Sequence, residues 1–151
     1  MRYINEIIVH CTGTKAIPGY GAKQIKAYHV NVNHWKDIGY HFVIRTDGTI
    51  EAGRPLIQAG AHCQGHNQHS IGIAYVGGLD AKGKPADTRT PEQKKALKQL
   101  ILKYKKYYSA KVSGHRDYNP GKACPCFDAR REYGEEEEKK APTQKPQPIQ
   151  F

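Results

Sequence analysis

Apolar residues follow two rhythms along this chain. Glu6-Ile7-Ile8-Val9-His10 carries three β-branched residues in a row. Such side chains fit a pleated backbone, so the run predicts a buried strand over 6–11. Residues 12–21 then read as a loop. Over 22–35, Ile25, Tyr28, Val32 and Trp35 fall at helical spacing and predict a helix with that face inward. Residues 40–45 and 49–52 flank Thr46-Asp47-Gly48, whose Asp-Gly pair signals a hairpin. The stretch 59–70 has little apolar pattern and predicts a loop. Ile71 to Val76 reads as an inner strand stopped by Gly77-Gly78, and 79–90 as a polar loop.

Thr90-Pro91-Glu92-Gln93 opens a second helix. Thr90 can cap the free amides, Pro91 fits the first turn, and Gln93 completes a capping box. Leu97, Leu100, Ile101, Tyr104 and Tyr108 form its apolar stripe. A short strand is expected near 111–113 and a last short helix over 127–133. The order β-α-β-β-β-α-β predicts an α/β single domain with a central mixed β-sheet flanked by helices. That domain is expected to span 1–133. Residues 134–151 run through four glutamates, then Lys, Pro and Gln. They have almost nothing to bury, so a disordered tail is expected there.

Composition bounds the function. Of 151 residues, 38% are apolar and 25% charged, enough for one core. No apolar run reaches the length of a membrane span. Arg2-Tyr3-Ile4-Asn5-Glu6 does not read as a secretory signal. Synthesis in the cytoplasm is therefore expected, with any external action following release or injection. Four cysteines without a signal point to free thiols or metal ligation rather than disulfides. Cys11 and Cys63 read as small buried residues.

The net charge of +10 is uneven: residues 1–131 carry +12 and the last twenty −2. A basic body suits an anionic partner, either nucleic acid or an acidic envelope; a solvated lysine-rich helix face explains it equally well. The chain has neither zinc-finger spacing nor an aromatic RNA-binding signature, so no nucleic-acid partner is expected. A monomer is expected.

The chemistry concentrates in His115-Arg-Asp-Tyr-Asn-Pro-Gly-Lys-Ala-Cys-Pro-Cys126. His115 and Cys124 stand nine residues apart, Lys122 precedes the cysteine by two, and Pro120-Gly121 bends the chain between them. Imidazole and thiolate are ligands zinc prefers. A third ligand must come from elsewhere, and His10 is the best candidate. It leaves the end of a buried strand, where open α/β sheets keep their sites. Three ligands leave a fourth position open, as catalytic zinc requires. Spacing alone does not single these out among eight histidines, and Cys126 rivals Cys124. Asp117 or Asp128 could orient a ligand imidazole.

Five segments occur in one order: Ile8-Val9-His10-Cys11-Thr12; Asp37 to Ile44; Asp47 to Arg54; Ser70-Ile71-Gly72-Ile73; and Lys122 to Asp128. Together they resemble the zinc-dependent N-acetylmuramoyl-L-alanine amidases. That family includes bacteriophage lysozyme-type amidases and is related to peptidoglycan-recognition proteins. The likeness runs from about Ile4 to Arg131.

The resemblance implies zinc held by His10, His115 and Cys124, with Tyr40 and Lys122 as catalytic residues. It implies hydrolysis of the bond between N-acetylmuramic acid and L-alanine in bacterial peptidoglycan by a zinc-activated water. It also sets His62 on the substrate side of the groove, and Asn67 is expected to contact substrate beside it. His41 is expected to face the other side of the sheet, in a structural role. His29 and His34 are expected to be packing or surface residues. Tyr28-His29 replaces the Trp-His of many relatives, a change expected to affect packing. The alternatives are a non-catalytic peptidoglycan-binding module and a zinc peptidase acting on the stem peptide. Binding-only relatives lack the cysteine ligand, and this chain has Cys124.

Overall fold

The computed structural model describes residues 2–135. Its centre is β1 (Glu6–Cys11), buried along its whole length. β1 lies between two parallel neighbours, β5 (Ser70–Tyr75) and β7 (Lys111–Gly114). A strand paired on both edges and covered on both faces needs a continuous apolar run, which Ile7-Ile8-Val9 supplies. β3 (Phe42–Ile44) pairs parallel with β5, and β4 (Ile50–Ala52) returns antiparallel along its outer edge. The sheet order is β4-β3-β5-β1-β7, a mixed sheet. The Asp47-Gly48 turn makes the expected hairpin: Gly48 takes φ 88°, and the Thr49 amide donates to the Asp47 carboxylate at 2.9 Å. β2 (Thr14–Lys15) and β6 (Gly78–Leu79) add a small second sheet. Strands of two residues carry too little pattern to be read from sequence.

α2 (Pro91–Tyr108) covers one face of the sheet. Leu97, Leu100 and Ile101 pack on Ile7, Val9, Ile71 and Ile73. Burying each such side chain stabilises the fold by roughly 1.5–3 kcal/mol. Tyr104 and Tyr108 are only partly buried, and the Tyr104 ring stacks on Phe42 at 5.5 Å. The capping box forms as expected. The Gln93 amide accepts from Thr90 NH while donating to the carbonyls of Val76 at 3.0 Å and Ile44 at 3.2 Å. The helix start is thereby fastened to the ends of β5 and β3.

α1 (Ala22–Asn31) covers the other face and stops four residues short of the expected end. Val32 and Asn33 are poor helix formers, and His34 takes the left-handed region at φ 61°. The chain then folds back: Trp35 NH donates to the His29 carbonyl, and the two rings lie 4.6 Å apart. The inward face is Ile25 and His29, not Ile25, Tyr28, Val32 and Trp35. Tyr28 and Val32 are exposed. The chain ends its described part in a π-helix over Arg130–Glu135. Arg89 fixes it through Glu132 at 2.7 Å, while Asp87 at 2.9 Å holds Arg89 itself and the guanidinium lies 3.4 Å over the Phe127 ring. This helix runs slightly past the expected boundary at 134. The rest of the expected tail lies outside the described residues. No helix among the described residues is long and apolar enough to cross a membrane.

Candidate metal centre

The sheet itself brings two histidines together. β1 and β7 run parallel with Val9 opposite Gly114. The next residue along each is a histidine, His10 still on β1 and His115 just past the end of β7, so the two emerge side by side, with ring centroids 4.7 Å apart. Cys124 returns to them along a bent loop. Its carbonyl accepts from Arg116 NH at 2.8 Å, and its Sγ accepts from Cys11 NH at 3.1 Å. Sγ lies 3.9 Å from His10 Nδ1. One donor atom from each of His10, His115 and Cys124 falls within 4.8 Å of the other two. Zinc bonds of ~2.0–2.3 Å in a tetrahedron need donor separations of about 3.5 Å, so a small contraction closes the set.

Cys126 stands apart from this cluster. Its backbone is left-handed, at φ 71°, and its Sγ turns to the Gly78 carbonyl at 3.4 Å. Burial raises its thiol to about 11. Asp117 and Asp128 hold backbone rather than imidazole: Asp117 accepts from Gly114 NH at 2.7 Å, and Asp128 accepts from Arg131 NH at 3.1 Å.

The ring beside His10 is His62. Its Nδ1 lies 2.8 Å from His10 Nε2. Burial pushes both imidazoles well below their ordinary pKa, and neighbouring histidines add to it. His115 is lowered too, by burial and then by Lys122. The rings are therefore neutral near pH 7, as metal ligation requires. Tyr40 stands with its ring 5.3 Å from His10. Burial first, and then Cys124 and Cys11, raises its phenol, which stays protonated. Lys122 is exposed and reaches over the same cavity.

This inner cavity, of about 330 Å³, is lined by His10, Tyr40, His62, His115, Lys122 and Cys124, with Trp35 and His29 at its side. A wider groove of about 670 Å³ adjoins it. Its walls are Trp35, the 61–67 loop including His62 and Asn67, and the turn carrying Tyr118 and Asn119. The Asn67 Oδ1 accepts from His62 NH and Cys63 NH and sets that loop. The structure thus gathers all seven candidate residues around one opening.

Sequence reasoning did not single out Trp35 or Tyr118 as groove residues. Tyr118 follows His115 by three on a 3₁₀ turn over His115–Asp117, and its ring stacks on His66 at 3.7 Å. Proximity to His115 was the available signal. His41 is buried and structural. Its Nδ1 accepts from Gly72 NH and its Nε2 meets the Gln58 carbonyl. It stands beside His62, at 5.8 Å, rather than on the far face.

Fold and site define an α/β domain whose parallel strands deliver two histidines, joined by a loop cysteine, to the floor of a groove. The chain belongs to the N-acetylmuramoyl-L-alanine amidase family, which it matches over residues 1–127. It is similar to the endolysin of Klebsiella phage KP32, with 45% identity over 128 residues, 84% of this chain and 83% of that one. Among solved structures it is similar to the N-acetylmuramoyl-L-alanine amidase LysC from Clostridium intestinale, with a TM-score of 0.73 and 29% identity, covering 95% of this chain and 88% of LysC. The bumblebee peptidoglycan-recognition protein PGRP-SA shares the fold, with a TM-score of 0.71 and 27% identity over 85% of this chain and 79% of that one.

Proposed function

We propose that this domain hydrolyses the amide bond between N-acetylmuramic acid and L-alanine in peptidoglycan, with zinc held by His10, His115 and Cys124. The observation that carries this is the clustering of those three donors at the floor of a groove. The donor set fits the ion: one buried and one half-buried imidazole, both neutral, and one sulfur, with an open side toward the cavity. When bound, zinc supplies Lewis acidity, polarising a carbonyl and acidifying a water to a pKa of ~7.

The chain's own groups do the rest. Tyr40 keeps its proton and offers a phenol O–H beside the reacting water, to orient it or exchange a proton. Lys122 presents a cation to the oxygen that gains negative charge as the carbonyl carbon is attacked. His62 and Asn67 line the groove where sugar and stem peptide would lie. The basic body favours approach to an anionic cell wall, reached after release or injection. Cys124 favours an enzyme over a binding-only module, since it completes the donor set.

Elemental analysis of the purified chain tests the ligand set. The expected result is one zinc per chain, lost in Cys124→Ser and kept in Cys126→Ser. The reverse pattern, or active protein without zinc, would contradict it.

A further inference from the structure

His62 is built into the fold with more care than a groove wall needs. Its ring lies flat against Gly72 of β5: a Cβ there would come within 2.5 Å of the ring. A Cβ on Gly60 would come within 2.7 Å of the same ring, from its own loop. Two glycines therefore open the slot it fills. The Asn67 side chain holds its backbone amide at 3.0 Å. Each of these contacts fixes the direction of the ring.

The hydrogen bonds then fix its protons. Ser70 Oγ donates its one hydrogen to the His66 carbonyl at 2.7 Å. That hydroxyl can only accept from His62 Nε2, which lies 3.3 Å away. A neutral His62 with its proton on Nε2 has a bare Nδ1. This nitrogen accepts from His10 Nε2–H at 2.8 Å. His10 then carries its lone pair on Nδ1, the nitrogen facing Cys124 Sγ. Each assignment forces the next, from the serine to the donor cluster.

We infer that His62 is a positioning residue, which with Ser70 sets the tautomer and ring direction of His10 so that its Nδ1 is presented to the metal. A ligand imidazole normally gives its other N–H to a carboxylate, a carbonyl or water. Here a second imidazole accepts that hydrogen bond in place of a carboxylate. The inference rests on the zinc reading above. It adds a role to His62 behind the ligand, whatever its exposed edge meets in the groove.

Zinc affinity, measured on the full chain by competition with a chelator, tests it without reference to activity. His62→Leu should weaken binding by roughly 10- to 100-fold, the usual effect of removing such a partner. His62→Asn places an acceptor oxygen near the lost Nδ1 and should recover most of the affinity. Ser70→Ala should give a smaller loss in the same direction. In the wild-type protein, ¹⁵N NMR of the rings should find the protons of both His10 and His62 on Nε2. Wild-type affinity in His62→Leu, an Asn variant no better than Leu, or a His10 proton on Nδ1 would each overturn the inference. Cys124→Ser is measured alongside. If it is weak while His62→Leu is tight, only the positioning role fails; if Cys124→Ser is tight, the ligand set itself fails. The NMR result stands even where a variant does not fold.

Discussion

Lys122 and Tyr40 are the residues whose proposed roles separate chemistry from metal binding. Neither belongs to the donor set, yet both line the inner cavity. Lys122→Ala should keep zinc and fold and lose about 100- to 1000-fold in kcat, the usual effect of removing one oxyanion partner. Tyr40→Phe should fall in the same direction, since it keeps the ring and loses the O–H. Turnover near wild type in both, with steady-state kinetics on purified peptidoglycan, would assign them to packing. A histidine closing a β-branched run and a Pro-Gly bend between His115 and Cys124 made these three residues candidates, but among eight histidines only the family resemblance singled them out as a set. The partner of His10 was not legible. His62 lies 52 residues away, and only the pairing of β1 with β5 beside the 59–69 loop brings the two rings together. His29 was hidden differently: the apolar pattern of α1 pointed to Tyr28 and Val32, whereas a buried, hydrogen-bonded imidazole took the inward place.

The elements divide by how locally they are determined. α2 could be read from its first four residues, because capping is chemistry between neighbours. Gln93 did more than the capping box required. Its amide also meets Val76 and Ile44 across the core. Gln93→Leu should therefore destabilise the domain by about 1–3 kcal/mol, since Val76 O is left buried without its donor. Urea denaturation would measure it, and an unchanged midpoint would show that neither the cap nor the cross-core bonds of this amide contribute to stability. α1 was overextended because apolar spacing continued to Trp35, while the left-handed turn at His34 ended the helix. β2 and β6 depend on a long-range parallel pairing of Thr14 with Gly78 and Lys15 with Leu79, which no two-residue pattern encodes.

The molecule as a whole assembles its site by topology. Parallel β1 and β7 end together, one loop returns Cys124, and another lays His62 across β5. The mixed α/β sheet followed from the order of strands and helices, but its strand sequence β4-β3-β5-β1-β7 is a tertiary fact. Zinc at the proposed site would not by itself select the bond, because a Lewis acid serves many amides. On the proposed reading, selection falls to the groove between Trp35, the 61–67 loop and the Tyr118 turn. Mass spectrometry of peptidoglycan digested by the purified protein tests this most directly. The expected products are stem peptides with a free L-alanine amino terminus, with glycan strands intact and no new reducing ends, and peptide release should be suppressed by chelator and restored by zinc. New reducing ends without free L-alanine, or amino groups freed within the stem peptide, would contradict it.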